Sequence, residues 1–120
     1  MRGIFFILVV ISSISPAFAQ KDHSRVNVEN WSMATKTTIV SIKIGKTQTN
    51  FSPPIPPNFP GENSAANELL GICLQDVAIT FGNGQLFVIP ANDPNAFDSC
   101  YNSQIRVLDQ ISGGYELKFN

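Results

Sequence analysis

The chain has 120 residues, of which 43% are apolar and only 14% are charged. This length suits one domain, and this composition excludes a chain that charge keeps disordered. Eight lysines and arginines stand against nine aspartates and glutamates, which excludes the strongly basic surface of a nucleic-acid-binding protein. One histidine and two cysteines are too few ligands for an ordinary structural zinc site.

Residues 1–19 have the three-part pattern of a secretory signal peptide. A positively charged start precedes an apolar run over residues 4–14, and Ala17 and Ala19 are the small residues that a signal peptidase reads. The run is shorter than the roughly 20 apolar residues that a membrane anchor needs. We therefore expect cleavage after Ala19 and a secreted or periplasmic domain over residues 20–120. Since no second apolar run follows, we expect no membrane insertion after cleavage.

The predicted export decides how the two cysteines are interpreted. In an oxidising compartment Cys73 and Cys100 are expected to form a disulfide. It would close a loop of about 28 residues, for which loop-closure entropy predicts roughly 3.5 kcal/mol of stabilisation. The alternatives are bridges between molecules and a redox pair, but the spacing is not that of a C-x-x-C motif.

The first part of the predicted domain has strand patterns followed by a proline-rich segment. Residues 25–29 alternate polar and apolar, which is the period of a half-buried strand. Residues 37–44 are rich in β-branched side chains, and Gly45 can begin a tight turn into a second arm over residues 47–51. Residues 52–62 contain five prolines, which predict an extended crossover segment outside the sheet ladders.

The later part contains one predicted helix and further strands. A short helix is predicted over residues 64–70, with Ser64 as its cap. A hairpin is predicted from residues 73–81 and 85–89, joined by Gly-Asn-Gly, and residues 104–108 and 115–119 predict two more strands. The pattern predicts an all-β fold, a small antiparallel sandwich or barrel of about seven short strands with one short helix.

Few residues could carry catalysis or hold a metal ion. His23 is the only histidine and lies in a polar stretch, and no pair of acids is marked out by its neighbours. We therefore predict a protein that is not an enzyme and needs no cofactor. Asp93 and Asp98 lie in an oxygen-rich loop and form a weak calcium candidate. An ordinary turn is the alternative, because the spacing differs from that of a calcium-binding EF-hand loop.

Two asparagines begin N-x-S sequons, Asn30 and Asn50. Such sequons accept glycans in exported proteins of eukaryotes. In a bacterial host, both matches would be chance.

Aromatic residues in or beside predicted loops are the candidate binding residues. Trp31, Phe97 and Tyr101 could contact a partner if they are exposed at loop tips. The alternative is that these rings close the open ends of the sandwich. The resulting hypothesis is a non-enzymatic binding module for a protein partner, such as an inhibitor, an immunity-like protein or an accessory factor.

The C-terminal strand suggests a second hypothesis. A glycine pair followed by alternating Tyr115, Leu117 and Phe119 resembles the last strand of chaperone-assembled fimbrial subunits over about eight residues. The cysteines depart from that pattern, because those subunits bridge early strands and Cys73 and Cys100 lie late in the chain. The resemblance implies the alternative of a self-assembling structural subunit of a fimbria-like extracellular polymer.

Overall fold

The computed structural model describes residues 24–59, 61, 63–68, 71–110 and 113–120. The predicted signal peptide and His23 lie outside the described residues. Over the described ranges no helix has the length and apolar character that a membrane span requires. The described residues form ten strands: β1 Arg25–Trp31, β2 Ile39–Ile44, β3 Thr47–Ile55, β4 Ser64–Ala66, β5 Leu74–Gln75, β6 Val77–Phe81, β7 Leu86–Ile89, β8 Phe97–Asp98, β9 Gln104–Asp109 and β10 Tyr115–Phe119.

The strands form two four-stranded sheets and one small pair. Sheet I has the order β10-β9-β1-β4, sheet II has the order β3-β2-β6-β7, and β5 pairs with β8. All pairs are antiparallel except β1 with β9, which is parallel. The all-β prediction is confirmed, with three more strands than the seven expected. The predicted strand over residues 73–81 is divided into β5 and β6, and β4 and β8 lie where a helix and a loop were predicted.

One hydrophobic core joins the two large sheets. Its side chains come from alternate positions of the strands, as the period of two requires. In the predicted hairpin the apolar face is confirmed, since Val77, Ile79 and Phe81 are buried while Leu74 and Asp76 are exposed. The buried members of the core are Val26, Val28, Ile39, Ile42, Ile44, Ile55, Ala65, Val77, Ile79, Phe81, Phe97, Ile105, Val107, Tyr115 and Leu117.

The predicted helix over residues 64–70 is wrong. Ser64–Ala66 is strand β4, and Ala65 lies opposite Val26 of β1 and is fully buried. A helix of two turns has little stability of its own, because forming its first turn is costly. Pairing with β1 and burial of Ala65 therefore outweigh the local preference of alanine for helix. Residues 69–70 of the predicted helix lie outside the described residues.

Strand β3 extends into the predicted crossover segment over residues 52–62, as far as Ile55. β3 continues through Pro53 and Pro54 to Ile55, which pairs with Ile39. Between the pairs Ser41–Asn50 and Ile39–Ile55, five residue steps on β3 oppose two on β2. The prolines therefore lie in an irregular stretch of an edge strand, where a missing N–H breaks no ladder hydrogen bond.

The predicted disulfide is confirmed. Cys73 and Cys100 are bonded, with their Cα atoms 5.1 Å apart. Cys73 directly precedes β5 and Cys100 follows β8 by two positions, so the bond lies at one end of the β5–β8 pair.

A buried side-chain amide ties the two large sheets together. Asn30 of β1 is fully buried, and its Nδ2 donates to the carbonyl oxygens of Thr37 (2.8 Å) and Ile55 (2.9 Å). Its Oδ1 accepts from the backbone N–H of Ser32 at 3.1 Å. β1 belongs to sheet I, whereas Thr37 precedes β2 and Ile55 ends β3 in sheet II. One carboxamide therefore satisfies buried groups from both sheets.

Replacing Asn30 is expected to destabilise the protein strongly. Asn30→Ala removes the side-chain donor to the Ile55 carbonyl, one of two donors to the Thr37 carbonyl and the acceptor of the Ser32 N–H, at a cost of about 2–4 kcal/mol. Asn30→Asp has the same shape but places a negative oxygen against both carbonyls, so at neutral pH the loss should be at least as large. Urea unfolding at pH 7 measures both. Asn50→Ala, at an exposed asparagine of β3, is the control and should change stability by less than about 0.5 kcal/mol. If Asn30→Ala and Asn50→Ala lowered the free energy of unfolding equally, the role of Asn30 as a bridge between the sheets would be contradicted.

Removing the disulfide is expected to cost roughly 3.5 kcal/mol, because the unfolded chain regains the entropy of an open loop. The double variant Cys73→Ala/Cys100→Ala, compared with the oxidised protein by urea unfolding, measures this. A reducing agent should lower the stability of the original protein and leave the variant unchanged. A loss of less than about 1 kcal/mol would mean that loop closure is not the main contribution of this bond.

Candidate functional site

Trp31, the first predicted binding residue, belongs to a cluster on the outer face of sheet I. Its indole N–H donates to a Glu29 carboxylate oxygen at 2.9 Å, and the Arg106 guanidinium lies 5.7 Å from its ring centre. Arg106 also pairs with the same Glu29 oxygen at 3.1 Å. The ring is therefore held by a carboxylate and a cation of its own sheet and is only partly exposed.

The other two predicted aromatics differ from each other in exposure. Phe97 is fully buried and meets Phe119 edge to face, with ring centres 5.2 Å apart. This agrees with the alternative that aromatic rings fill the interior, and it removes Phe97 from the accessible surface. Tyr101 is 61% exposed.

The structure does not bring Trp31 and Tyr101 onto one surface. Asn27 lies opposite Gln104 and Trp31 lies opposite Leu108, so Tyr101 precedes the start of the β1–β9 pair while Trp31 is at its far end. Four residues along a strand span about 13 Å. A compact partner site made of all three predicted aromatics is therefore not formed.

Asp93 and Asp98 cap turns rather than converge. Asp93 Oδ1 accepts from the Asn95 backbone N–H at 2.8 Å, and Asp98 Oδ1 accepts from that of Cys100 at 3.0 Å. In the described part of the chain, the one group of three potential metal ligands is Cys73, Asp98 and Cys100. Its two sulfurs form the disulfide, so no thiolate is available to a metal ion.

The two sequons have opposite surroundings. Asn30 is fully buried with its Nδ2 bonded to two carbonyls, so a glycan there is incompatible with this packing. Asn50 is exposed on the edge strand β3.

Each large sheet has two edge strands, and on each side of the molecule an edge of sheet I faces an edge of sheet II. On one side hydrogen bonds connect the two edges. β4 ends sheet I and β3 ends sheet II on the same side of the molecule. The backbone N–H groups of Ala66 and Glu68 donate to the hydroxyls of Thr49 (3.0 Å) and Thr47 (3.3 Å). These bonds close the β3–β4 side.

The opposite side, between β7 and β10, contains a groove of about 600 Å³. Phe87 and Ile89 of β7 and Leu117 and Phe119 of β10 form its apolar lining. At one end the Phe87 and Tyr115 rings meet edge to face, with their centres 6.1 Å apart. The other end is lined by Asp93, Asn95, Ala96 and Asn102. We call this the β7–β10 groove.

β7 is an edge strand that contains no charged residue, proline or bulge. Edge strands normally avoid pairing with other chains through prolines, charges, bulges or short length. β3 has prolines and an irregular register, β4 has only three residues, and β10 has exposed Glu116 and Lys118. β7 is Leu-Phe-Val-Ile, with Leu86 63% and Val88 48% exposed on its outer face.

The backbone of β7 is also open to pairing. The Phe81 N–H donates to the Gln85 carbonyl at 2.9 Å, and hydrogen-bonded and non-bonded pairs alternate along an antiparallel ladder. Phe87 and Ile89, opposite Ile79 and Val77, therefore direct their N–H and C=O groups toward β6. Leu86 and Val88 direct theirs outward, where none of the described residues provides a partner strand.

A hydrogen-bond network fixes the position of Tyr115 at its end of the groove. The Tyr115 hydroxyl donates to Gln85 Oε1 at 2.9 Å and lies 3.1 Å from the Thr37 hydroxyl, which is hydrogen-bonded to that of Thr35. The Thr35 backbone N–H in turn donates to Asp109 Oδ2 at 2.6 Å. Burial acts to raise the pKa of Asp109, but the donors of Thr35 and Ala34 outweigh it, so the pKa is lower than its ordinary value of 3.8.

This network predicts a change in stability on acidification. Since folding lowers the pKa of Asp109, its carboxylate contributes stability above its ordinary pKa of 3.8 that is lost as the pH falls through the folded-state value. Asp109→Asn should therefore be less stable than the original protein at pH 7. The difference should narrow below pH 3.8. Urea unfolding at pH 7, and at about pH 2.5, measures both, and a difference that stays constant or widens would contradict the lowered pKa.

The β7 residues were predicted as a strand but were not among the predicted binding residues. The available signal was four consecutive apolar residues between Gln85 and Pro90, where a half-buried strand would alternate. No family model matches the chain, and neither a curated protein nor a solved structure matches it.

Proposed function

We propose that the protein is a secreted or periplasmic, non-enzymatic binding module that takes an extended segment of a partner protein as an added strand beside β7. The observation that carries this proposal is β7, an edge strand with apolar side chains on both faces and outward N–H and C=O groups at Leu86 and Val88. In strand addition, main-chain hydrogen bonds provide affinity and side chains at alternate positions provide specificity.

The added strand would become the fifth strand of sheet II. Its backbone would exchange hydrogen bonds with Leu86 and Val88, whose side chains would be covered on the outer face. The side chain opposite Phe87 would point into the β7–β10 groove, toward Leu117 and Phe119. Covering the exposed apolar surface of β7 supplies a hydrophobic contribution in addition to the hydrogen bonds.

The proposal also covers where the protein acts and what kind of binding protein it is. The signal-peptide pattern and the disulfide between Cys73 and Cys100 support an oxidising, extracytoplasmic location. We propose that the protein acts in this compartment as an inhibitor, an immunity-like protein or an accessory factor.

The test uses peptides selected from a displayed library of random decapeptides. Their affinities are measured by fluorescence anisotropy on the original protein and on Val88→Pro. Because the Val88 N–H points away from β6, this variant removes a donor to the added strand without removing a ladder bond. We expect affinity to fall at least tenfold. Met33→Lys, at an apolar residue in a turn and 51% exposed, is the control and should bind within about twofold of the original.

Amide hydrogen exchange locates the bound peptide. Leu86 and Val88 amides should exchange fast in the free protein and become protected on binding. Protection confined to the surroundings of Trp31 or Tyr101, with Val88→Pro binding normally, would overturn the proposal. Concentration-dependent multimers that Val88→Pro converts to monomers would overturn it in favour of a self-assembling subunit.

A further inference from the structure

We infer that the segment bound beside β7 is cationic, with apolar side chains at alternate positions and a lysine or arginine at the end that lies over the Asp93 end of the β7–β10 groove. This inference rests on the proposed function and names the chemistry of its partner. Among the described residues that line the groove, the acidic and basic side chains are Asp93 and Glu116, and both are acidic.

Neither Asp93 nor Glu116 belongs to an ion pair among the described residues. Within the part of the chain that the structure describes, the one ion pair joins Arg106 and Glu29, on the outer face of sheet I. Asp93 uses one oxygen to accept from the Asn95 N–H. Lys118 lies two positions beyond Glu116 on β10 and opposite Arg106, and it does not line the groove. Asp93 has no basic neighbour among the residues that line the groove, so it is the main carboxylate that a bound cation would meet.

The location of Asp93 gives the position of the cation. β7 ends at Ile89, and Asp93 follows it by four positions and lines the groove. β7 spans about 13 Å, which is the length of four residues of an added strand. A lysine or arginine just beyond those residues, on the Ile89 side, is the one that Asp93 can reach.

The same charges decide between a foreign segment and a second copy of this chain. A second copy paired through β7 would present residues 82–93, which contain no lysine or arginine, so it offers no cation to Asp93. A cationic segment gains the attraction that a second copy lacks. We therefore assign the surface to a basic partner segment.

The experiment compares three synthetic decapeptides of alternating valine and threonine, with two lysines, two glutamines or two glutamates at one end. Binding is measured by fluorescence anisotropy at low and at high salt. We expect the lysine peptide to bind roughly three- to tenfold more tightly than the glutamine peptide at low salt, and the glutamate peptide to bind more weakly than both. High salt should reduce these differences because it screens exposed charges.

Charge-removing variants test which carboxylates are responsible. Asp93→Asn/Glu116→Gln should reduce the lysine preference to less than about twofold while leaving the affinity for the glutamine peptide unchanged. Asp93→Asn keeps the oxygen that accepts from Asn95, so the turn is retained. Glu68→Gln is the control, because Glu68 is exposed beside β4 and does not line the groove, and it should keep the full preference.

The outcomes separate the two proposals. Equal binding of all three peptides, lost in Val88→Pro, would overturn the cationic preference and leave strand addition in place. A lysine preference that survives the double variant would also overturn it. Failure of every peptide to protect the Leu86 and Val88 amides, together with an empty library selection, would overturn strand addition itself.

Discussion

The packing of the two sheets depends on the buried carboxamide of Asn30. β1 is an inner strand of sheet I, and the Asn30 side chain donates to carbonyl groups at the start of β2 and the end of β3 in sheet II. A buried polar group costs free energy unless every hydrogen bond is made. The requirement to satisfy this amide therefore favours one relative position of the sheets over others that would bury the same apolar side chains equally well.

That relative position gives the two sides of the molecule different properties. On one side the threonine hydroxyls of β3 bond to the backbone of β4 and close the gap between the sheets. On the other side the β7–β10 groove stays open, apart from the contact of Phe87 with Tyr115. The Tyr115 hydroxyl network fixes this contact, so the width of the groove is determined by the packing of the free protein. A preformed groove lowers the entropy that binding must overcome.

The proposed function follows from the exposure of an apolar edge strand, β7, which leaves backbone groups and side chains open to pairing with another chain. An apolar edge strand with outward N–H and C=O groups tends to pair with other chains. The other three edge strands of the large sheets contain prolines or charged residues or are very short. β7 alone among these four combines exposed Leu86 and Val88 with a regular backbone. Acidic side chains around it favour basic segments over further copies of the same chain. The features on which we base the proposed binding at β7 thus also limit the partners that we propose for it.

Much of the fold could be predicted because its signals are local. The alternation of Tyr115, Leu117 and Phe119, the face formed by Val77, Ile79 and Phe81, and the pairing of Cys73 with Cys100 depend on the period of two or on the only cysteine pair. The helix predicted over residues 64–70 was wrong because helix propensity is also local, whereas the position of Ala65 beside Val26 is not. The sequence left both exposure and burial of Phe97 open, and its contact with Phe119, which is distant in sequence, decides for burial.

By itself, the amino-acid sequence determined the all-β class, most strand positions, the faces that are buried and the disulfide, because each follows from spacing and side-chain chemistry along the chain. Only the tertiary structure decided which strands became edges, that β3 meets β4 while β7 faces β10, and that Asn30 is a bridge between sheets. Those features depend on contacts between residues far apart in sequence. The candidate site is therefore a product of strand order, and no single segment of the chain encodes it.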